Sequence, residues 1–459
     1  ERYPLVKLVY GGANFDGEMG CEYARGIGWI DYVVTGEGDI AFPRLLNAIA
    51  DGTGTPIPGV HRTDGPAPPG GDAPRPRDLD SLPVPDYADY FATLERHDRA
   101  AVLGGTHVKL PVEFSRGCWW GEKHHCTFCG LNDLGMTFRA KTGGRALAEL
   151  SAMLERYQVV HIEAVDNILD MKYLRTLCAD LAEQRWDMSI FYEVKANLTR
   201  EQIGLLARAG IHWIQPGIES LSTNVLRLMR KGATKLINVR LLKWARYYGL
   251  NVEWNILSGF PGECDGDYAE QTALVPLLTH LQPPAGGERF WLERFSPYFT
   301  DPGFPIKKVR PRASYRHIYP PDLDHHKIAY SFDYEAESIA SPEAHQALIS
   351  AIGDWRQRWN DERKPSLIYQ RLPNRLTIID KRGPAPRKVA LTGWQAAAYQ
   401  HCDDTARTAR RVHEHLIEQG HDMTIGNLST FLAAAERLGI MISEDGRYLA
   451  LALPENPGW

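Results

Sequence analysis

The stretch Cys118-Trp119-Trp120-Gly121-Glu122-Lys123-His124-His125-Cys126-Thr127-Phe128-Cys129 places three thiols within twelve residues. The other four cysteines, Cys21, Cys178, Cys264 and Cys402, are scattered singly, and an odd total of seven does not resemble a disulfide framework. The cluster therefore reads as metal ligation in a reducing compartment. An iron-sulfur cube takes four thiolates, so three close together leave one iron with a free position, where the amine and carboxylate of an amino acid can chelate. The rival reading is a structural zinc ion with His124 or His125 as its fourth ligand. The place of the loop in the chain argues for the cube, because the loop follows the first strand of a β/α series, where reactive sites gather.

That series runs outward from the cysteines. Strand-like runs at Pro111–Phe114, Val159–Ala164, Ile190–Val194, Trp213–Gly217, Val252–Leu257 and Phe290–Phe295 alternate with helical periodicity at Ala146–Tyr157, Tyr173–Gln184, Arg200–Ala209 and Ile237–Tyr248. Such alternation predicts an α/β fold with a parallel sheet, curled by right-handed crossovers into a partial or full (β/α) barrel. Polar residues then fall at successive strand ends: Asp166 and Asn167, Glu193 and Lys195, Gln215, Glu219 and Ser220, and Asn255. Any one of them suits a helix cap or a loop, but together they describe a pocket. Glu293, Arg294 and Tyr298, on or just after the last run, are the candidate catalytic, substrate-contacting residues.

At 459 residues the chain exceeds what one core usually supports, and about two to four domains are expected. The segments read as 1–62, an α/β piece; 63–98, a linker rich in Pro and Gly; 99–300, the barrel; 301–370, an irregular bridge with one helix near Pro342–Asn360; and 371–459, a small winged-helix-like module. The first segment opens on an apolar run at Leu5–Val9 with no Met before it, so the sequence is expected to begin inside a domain. Glycine turns at Gly11, Gly12 and at Gly36, Gly38 follow strands of an open sheet, where backbone can approach a large ligand. A formal net charge of -5 gives no reason to expect nucleic acid as the main partner. No apolar run approaches the ~20 residues of a membrane span and no signal peptide is visible, so a cytoplasmic location is expected.

With these residues in hand, the chain resembles the cobalamin-dependent radical S-adenosylmethionine (SAM) family, and within it the C-methyltransferases that mature ribosomally synthesised peptide natural products (RiPPs). The seven residues between Cys118 and Cys126 exceed the usual radical SAM spacing, and that longer interval is a feature of this branch. The resemblance implies a 4Fe-4S cluster on Cys118, Cys126 and Cys129, with SAM on the open iron and Phe128 near its adenine. It implies that Asp166 and Asn167 lie toward the SAM amino group and Glu193 and Lys195 toward its ribose and carboxylate, while Gln215, Glu219, Ser220 and Asn255 belong to later strand-end motifs. Gly11, Gly12, Asn14, Gly36, Glu37 and Gly38 match two loops of the family's cobalamin-binding, Rossmann-like domain, of which about a hundred residues would lie upstream. Methylcobalamin would then supply methyl to a carbon from which a deoxyadenosyl radical has taken hydrogen. The implied partners are a precursor peptide with its leader and a flavodoxin- or ferredoxin-type electron donor. The last module resembles the leader-recognition domain of RiPP enzymes, in which a peptide adds a strand to a sheet edge. A peptide cyclase or epimerase without methyl transfer, and a zinc-stabilised peptide-binding protein, are the alternative functions.

Overall fold

The computed structural model describes residues 5–63, 71, 73–97, 102–104, 106–131 and 135–456. Residues 64–70, 72 and 98 of the expected linker and 457–459 of the last module lie outside the described residues. Contacts group the chain into two units that interleave along the sequence: residues 1–83, 115–141 and 290–337 form the first, and 84–114, 142–289 and 338–459 the second.

In the first unit, Val9–Gly11 pairs in parallel with Tyr32–Val34, which pairs antiparallel with Val60–Arg62. The strand expected at Leu5–Val9 forms later than its apolar run, because Leu5 and Val6 are left exposed while the burial falls on Val33, Val34 and Val60 of the neighbouring strands. The helix Gly17–Gly26 buries Met19 and Tyr23 against Leu323 and Ile328. Residues 115–141 open and close on a short antiparallel hairpin, Ser115–Arg116 with Arg139–Ala140, and the cysteine loop lies between its strands. The bridge expected to be irregular carries strands instead: Ile306–Pro311 pairs antiparallel with Ser331–Ala336, which also pairs antiparallel with Leu292–Glu293 before the bridge.

The second unit holds the expected parallel sheet. Its order is Leu110–Val112, His161–Ala164, Ser189–Glu193, Trp213–Gln215 and Asn251–Val252, each strand parallel to the next. The curl continues through a parallel bridge from Glu219 to Ile256 and a final parallel pair, Ile256–Ser258 with Gly287–Arg289. This is a partial barrel. The last strand corrects the sequence reading: it is the polar run Gly287–Arg289 and not Phe290–Phe295, whose residues belong to the first unit's antiparallel sheet. Local chemistry fixes the crossovers, since Thr142, Thr199 and Thr234 each accept a backbone N–H at a helix start, and Gly249 ends Lys235–Tyr248 in left-handed backbone.

The C-terminal part of this unit contains an antiparallel sheet, Arg387–Thr392, Arg375–Asp380 and Leu367–Leu372, extended by Leu453–Pro454. Helices Trp394–His401, Ala409–Glu418 and Ile425–Arg437 follow, with a hairpin of Met441–Glu444 and Arg447–Ala450. Lys243, on helix Lys235–Tyr248, is fully buried and donates to the Asp403 carboxylate (2.6 Å), the Asp403 carbonyl (2.8 Å) and the Ala450 carbonyl (2.8 Å). Among the described residues, no helix is long and apolar enough to cross a membrane.

A buried cation whose partners stay behind is costly to remove. Lys243→Ala is expected to destabilise the chain by about 3–5 kcal/mol, leaving the Asp403 charge uncompensated, and the urea unfolding midpoint measures it.

Candidate active site

The cysteine loop is held at several points within the first unit. Cys118 receives an N–H bond on its sulfur from Gly121 at 3.3 Å, and none of the three cysteines is in a disulfide. The Thr127 carbonyl accepts from the Tyr298 backbone N–H at 2.9 Å, and His125 Nε2 donates to the Cys129 carbonyl at 2.9 Å. Glu293 accepts from the Gly130 N–H at 2.7 Å. This approach requires glycine, because a Cβ on Gly130 would come within 2.6 Å of the Glu293 Cβ. Burial raises the Glu293 pKa, against the lowering effect of the Gly130 N–H and the Tyr330 hydroxyl.

Both histidines weighed as zinc ligands have other partners, His125 as above and His124 packed at a tilt against Trp120 with ring centroids 4.2 Å apart. A single ion would need its ligands about 2.3 Å from one centre, and among the described residues no three His, Cys, Asp or Glu side chains converge in that way. In a cube each cysteine binds its own iron, and three cysteines on one braced loop, none in a disulfide, suit that donor set.

The hairpin under this loop is gripped by Glu37. Arg116 donates to Glu37 at 2.8 Å and to Asp39 at 2.6 Å, and Arg139 donates to Glu37 and to the Pro76 carbonyl at 2.6 Å. Burial alone would raise the Glu37 pKa, but Arg139 and Arg116 outweigh it and hold the carboxyl below its ordinary range. Glu37 thus serves as a strut for this hairpin. Its flanking glycines do face open space: an open groove of about 520 Å³ is lined by Gly11, Gly12, Gly36, Gly38, Asp39 and Phe42, among others. Gly12 has φ 89°, left-handed backbone that a side chain would strain, and Asp16 accepts from the Gly36 N–H at 2.7 Å, linking the two loops. Asn14 is exposed beside them. A glycine floor of this kind fits the flat macrocycle of a corrin laid against backbone.

Two of the three candidates on the last run have packing roles. Arg294 is buried and donates to the Ala329 carbonyl at 2.6 Å, the His326 carbonyl and Glu18 at 3.3 Å. Tyr298 is 3% exposed and stacks on Phe290. Glu293 braces the cysteine loop. None lies on a barrel strand, because the final strand ends at Arg289.

In the second unit the strand ends differ from one another. Asp166 is 1% exposed and accepts from the Phe114 N–H at 2.8 Å and the Tyr192 hydroxyl at 2.5 Å, so it ties strands together. Ser220 is buried on Gln271 at 3.0 Å. Lys195 donates to the Lys231 carbonyl at 2.5 Å, and Lys231 Nζ reaches Glu219 at 3.5 Å. Asn167, Glu193, Gln215 and Glu219 are half-buried and Asn255 is exposed, and Glu193 and Gln215 are register partners. Burial, with Glu219 and Asp166 adding to it and Lys231 opposing, pushes the Glu193 pKa up to about 7. The sequence reading missed Lys231, Arg116, Arg139 and Tyr330. Only Arg116, two residues before Cys118, lay near a motif that could have flagged it.

With this geometry in view, comparison with known proteins is informative. Residues 112–273 match the radical SAM superfamily, so the chain contains a radical SAM domain. The chain is 26% identical over 271 residues to an uncharacterised methyltransferase of Pyrococcus horikoshii, covering 54% of this chain and 56% of that protein. It is 26% identical over 242 residues to the hopanoid C-3 methylase of Methylococcus capsulatus, covering 51% of this chain and 44% of the methylase. The chain thus spans about half the length of the curated relatives it matches. The radical SAM methyltransferase TsrM of Kitasatospora setae, solved with tryptophan and a SAM analogue, aligns over 76% of this chain and 71% of TsrM at 17% identity with a TM-score of 0.53. TsrM has also been solved with cobalamin and a 4Fe-4S cluster, and aligns at 15% identity with a TM-score of 0.53 over 76% of this chain and 72% of TsrM. At such identity the likeness shows the fold.

Removing the Glu37 grip should loosen the cysteine loop. Glu37→Ala deletes charge-assisted bonds of ~1.5–3 kcal/mol each, and severalfold less iron and sulfide should remain per chain after anaerobic reconstitution and desalting, with unchanged far-UV circular dichroism. Glu193 gives a pH signature. Its pKa rises on folding from 4.5 to about 7, so the folded chain keeps a proton that the unfolded chain releases. That contribution to stability is fully present below pH 4.5 and is lost as pH rises through about 7. Glu193→Gln should flatten the slope of the urea midpoint across this window.

Proposed function

We propose that the protein is a cobalamin-dependent radical SAM methyltransferase that transfers methyl to an unactivated carbon of a ribosomally synthesised peptide. The observation carrying the radical part of this reading is the braced loop that gathers Cys118, Cys126 and Cys129, none of them in a disulfide, inside a domain matching the radical SAM superfamily. Methyl transfer draws support from the glycine-floored groove and from the kinds of protein that the chain is similar to. The peptide substrate rests on the long cysteine spacing and on the small sheet-and-helix module that follows the barrel.

The three cysteines would hold the cluster, and the groove at Gly11, Gly12, Gly36 and Gly38 would receive cobalamin. When bound, these groups and SAM supply hydrogen abstraction and methyl transfer. The residues of the chain do the positioning. Glu293, His125 and the Tyr298 backbone fix the loop, so that reactive geometry is set before substrate arrives. Within the second unit, Gln215 and Asn255 carry amide groups at the strand ends, Glu219 with Lys231 forms a charged pair, and Glu193 can hold or release a proton at its carboxyl near neutral pH. A flavodoxin- or ferredoxin-type protein would deliver the electron.

Anaerobic enzyme given SAM, a low-potential reductant, cobalamin and a candidate precursor peptide is expected to release deoxyadenosine together with S-adenosylhomocysteine, and to add one methylene mass to the peptide per event. Deoxyadenosine alone, with loss of two hydrogens from the peptide, would instead mean cross-linking. A colourless protein that carries zinc after reconstitution would leave the reaction without its starting point.

A further inference from the structure

Away from the strand ends, the second unit contains an open cleft of about 970 Å³ between the hairpin end Arg371–Leu376, one face of helix Trp394–His401, and helix Ala409–Glu418. Its lining brings together three arginines, Arg200, Arg371 and Arg375, and three imidazoles, His401, His415 and His421. In a chain of net charge -5 this is a local reversal of sign. The lining holds a single carboxylate, Asp403, and that group is already bonded to Lys243 at 2.6 Å and to the Tyr369 hydroxyl at 3.0 Å. Arg371 and Arg375 are exposed, and neither makes an ion pair among the described residues. The His401 and His415 rings stack at 3.8 Å with an interplanar angle of 12°, which keeps one wall flat.

We infer that this cleft binds an acidic segment of the peptide substrate, its carboxylates meeting Arg371 and Arg375; the inference rests on the peptide reading proposed above. Size excludes a lone small anion as the natural fit, since ~300–1,000 Å³ is the range of drug-sized ligand sites. Between polyanions, the chemistry of the cleft favours peptide. Ala396 and Ala397 form a smooth floor that lets an extended backbone lie close, and Leu372 supplies an exposed apolar contact at the rim, which suits a peptide with apolar side chains between its carboxylates. The site lies at the turn end of the hairpin, and so differs from the edge strand Arg387–Thr392 where strand addition would occur.

Fluorescence anisotropy on the full chain tests this with a fluorescein-labelled Glu-Leu-Glu-Leu-Glu peptide and the same peptide carrying Gln for every Glu. The acidic peptide should bind in a salt-sensitive manner, and the Gln peptide about tenfold more weakly or worse. Reversing both charges in Arg371→Glu with Arg375→Glu should cost at least about tenfold, with an unchanged melting temperature because both side chains are exposed. The milder pair Arg371→Gln and Arg375→Gln should fall between. Equal binding of the two peptides, indifference to either pair of substitutions, or tighter binding of a single-stranded oligonucleotide overturns the inference. The two readings fail separately: S-adenosylhomocysteine released without acidic-peptide binding leaves the reaction standing and removes the cleft, and binding by an enzyme that methylates no peptide does the opposite.

Discussion

Glu37 receives guanidinium bonds from both strands of the hairpin that leads into and out of the cysteine loop, through Arg116 and Arg139. The two strands are only two residues each, too short to hold a twelve-residue reactive stretch by ladder bonds alone. Charge-assisted bonds compensate, and they are stronger because the partners are partly buried. The same carboxylate belongs to the loop whose glycines floor the groove. One side chain therefore couples the shape of the proposed cobalamin site to the posture of the cluster ligands within the first unit.

A second brace acts from the other side of the loop. The antiparallel strand Leu292–Glu293 brings a carboxylate to the Gly130 N–H, and the short helix after it brings the Tyr298 N–H to Thr127. Buried polar groups that are fully partnered rigidify a site, and reactive iron chemistry demands rigidity around the ligands. Two of the residues that looked like substrate contacts, Glu293 and Tyr298, contribute here by holding backbone.

The second unit follows a different logic. Its parallel sheet is knit by Asp166, whose carboxylate joins backbone before the cysteine loop to the Tyr192 hydroxyl on a neighbouring strand. Asp166 and Ser220 are committed to the frame, whereas Asn167, Glu193, Gln215 and Glu219 are half-buried and Asn255 is exposed at the strand ends. Burial keeps Glu193 near its protonation midpoint at neutral pH, a property common at functional sites. Lys243 ties helix Lys235–Tyr248 to Asp403 and Ala450 of the C-terminal part, whose sheet carries the arginine-lined cleft on its hairpin end.

Much of this was legible in the sequence. Cysteine spacing pointed to iron chemistry, because metal ligation needs particular atoms close together and a short loop supplies them whatever the surroundings. Alternating apolar runs and capped helical stretches gave the parallel sheet, because burial periodicity and N-cap chemistry are local. The last strand was misplaced because Gly287–Arg289 has no apolar pattern: it joins the sheet through backbone pairing with Ile256–Ser258, a long-range partner. The roles of Glu37, Asp166, Glu293 and Arg294 were likewise decided only on folding, since a carboxylate or guanidinium can serve a ligand or a neighbour and only the tertiary arrangement says which is within reach. Sequence fixes what chemistry a residue can offer; the partners that arrive from distant segments decide whether the offer is still open.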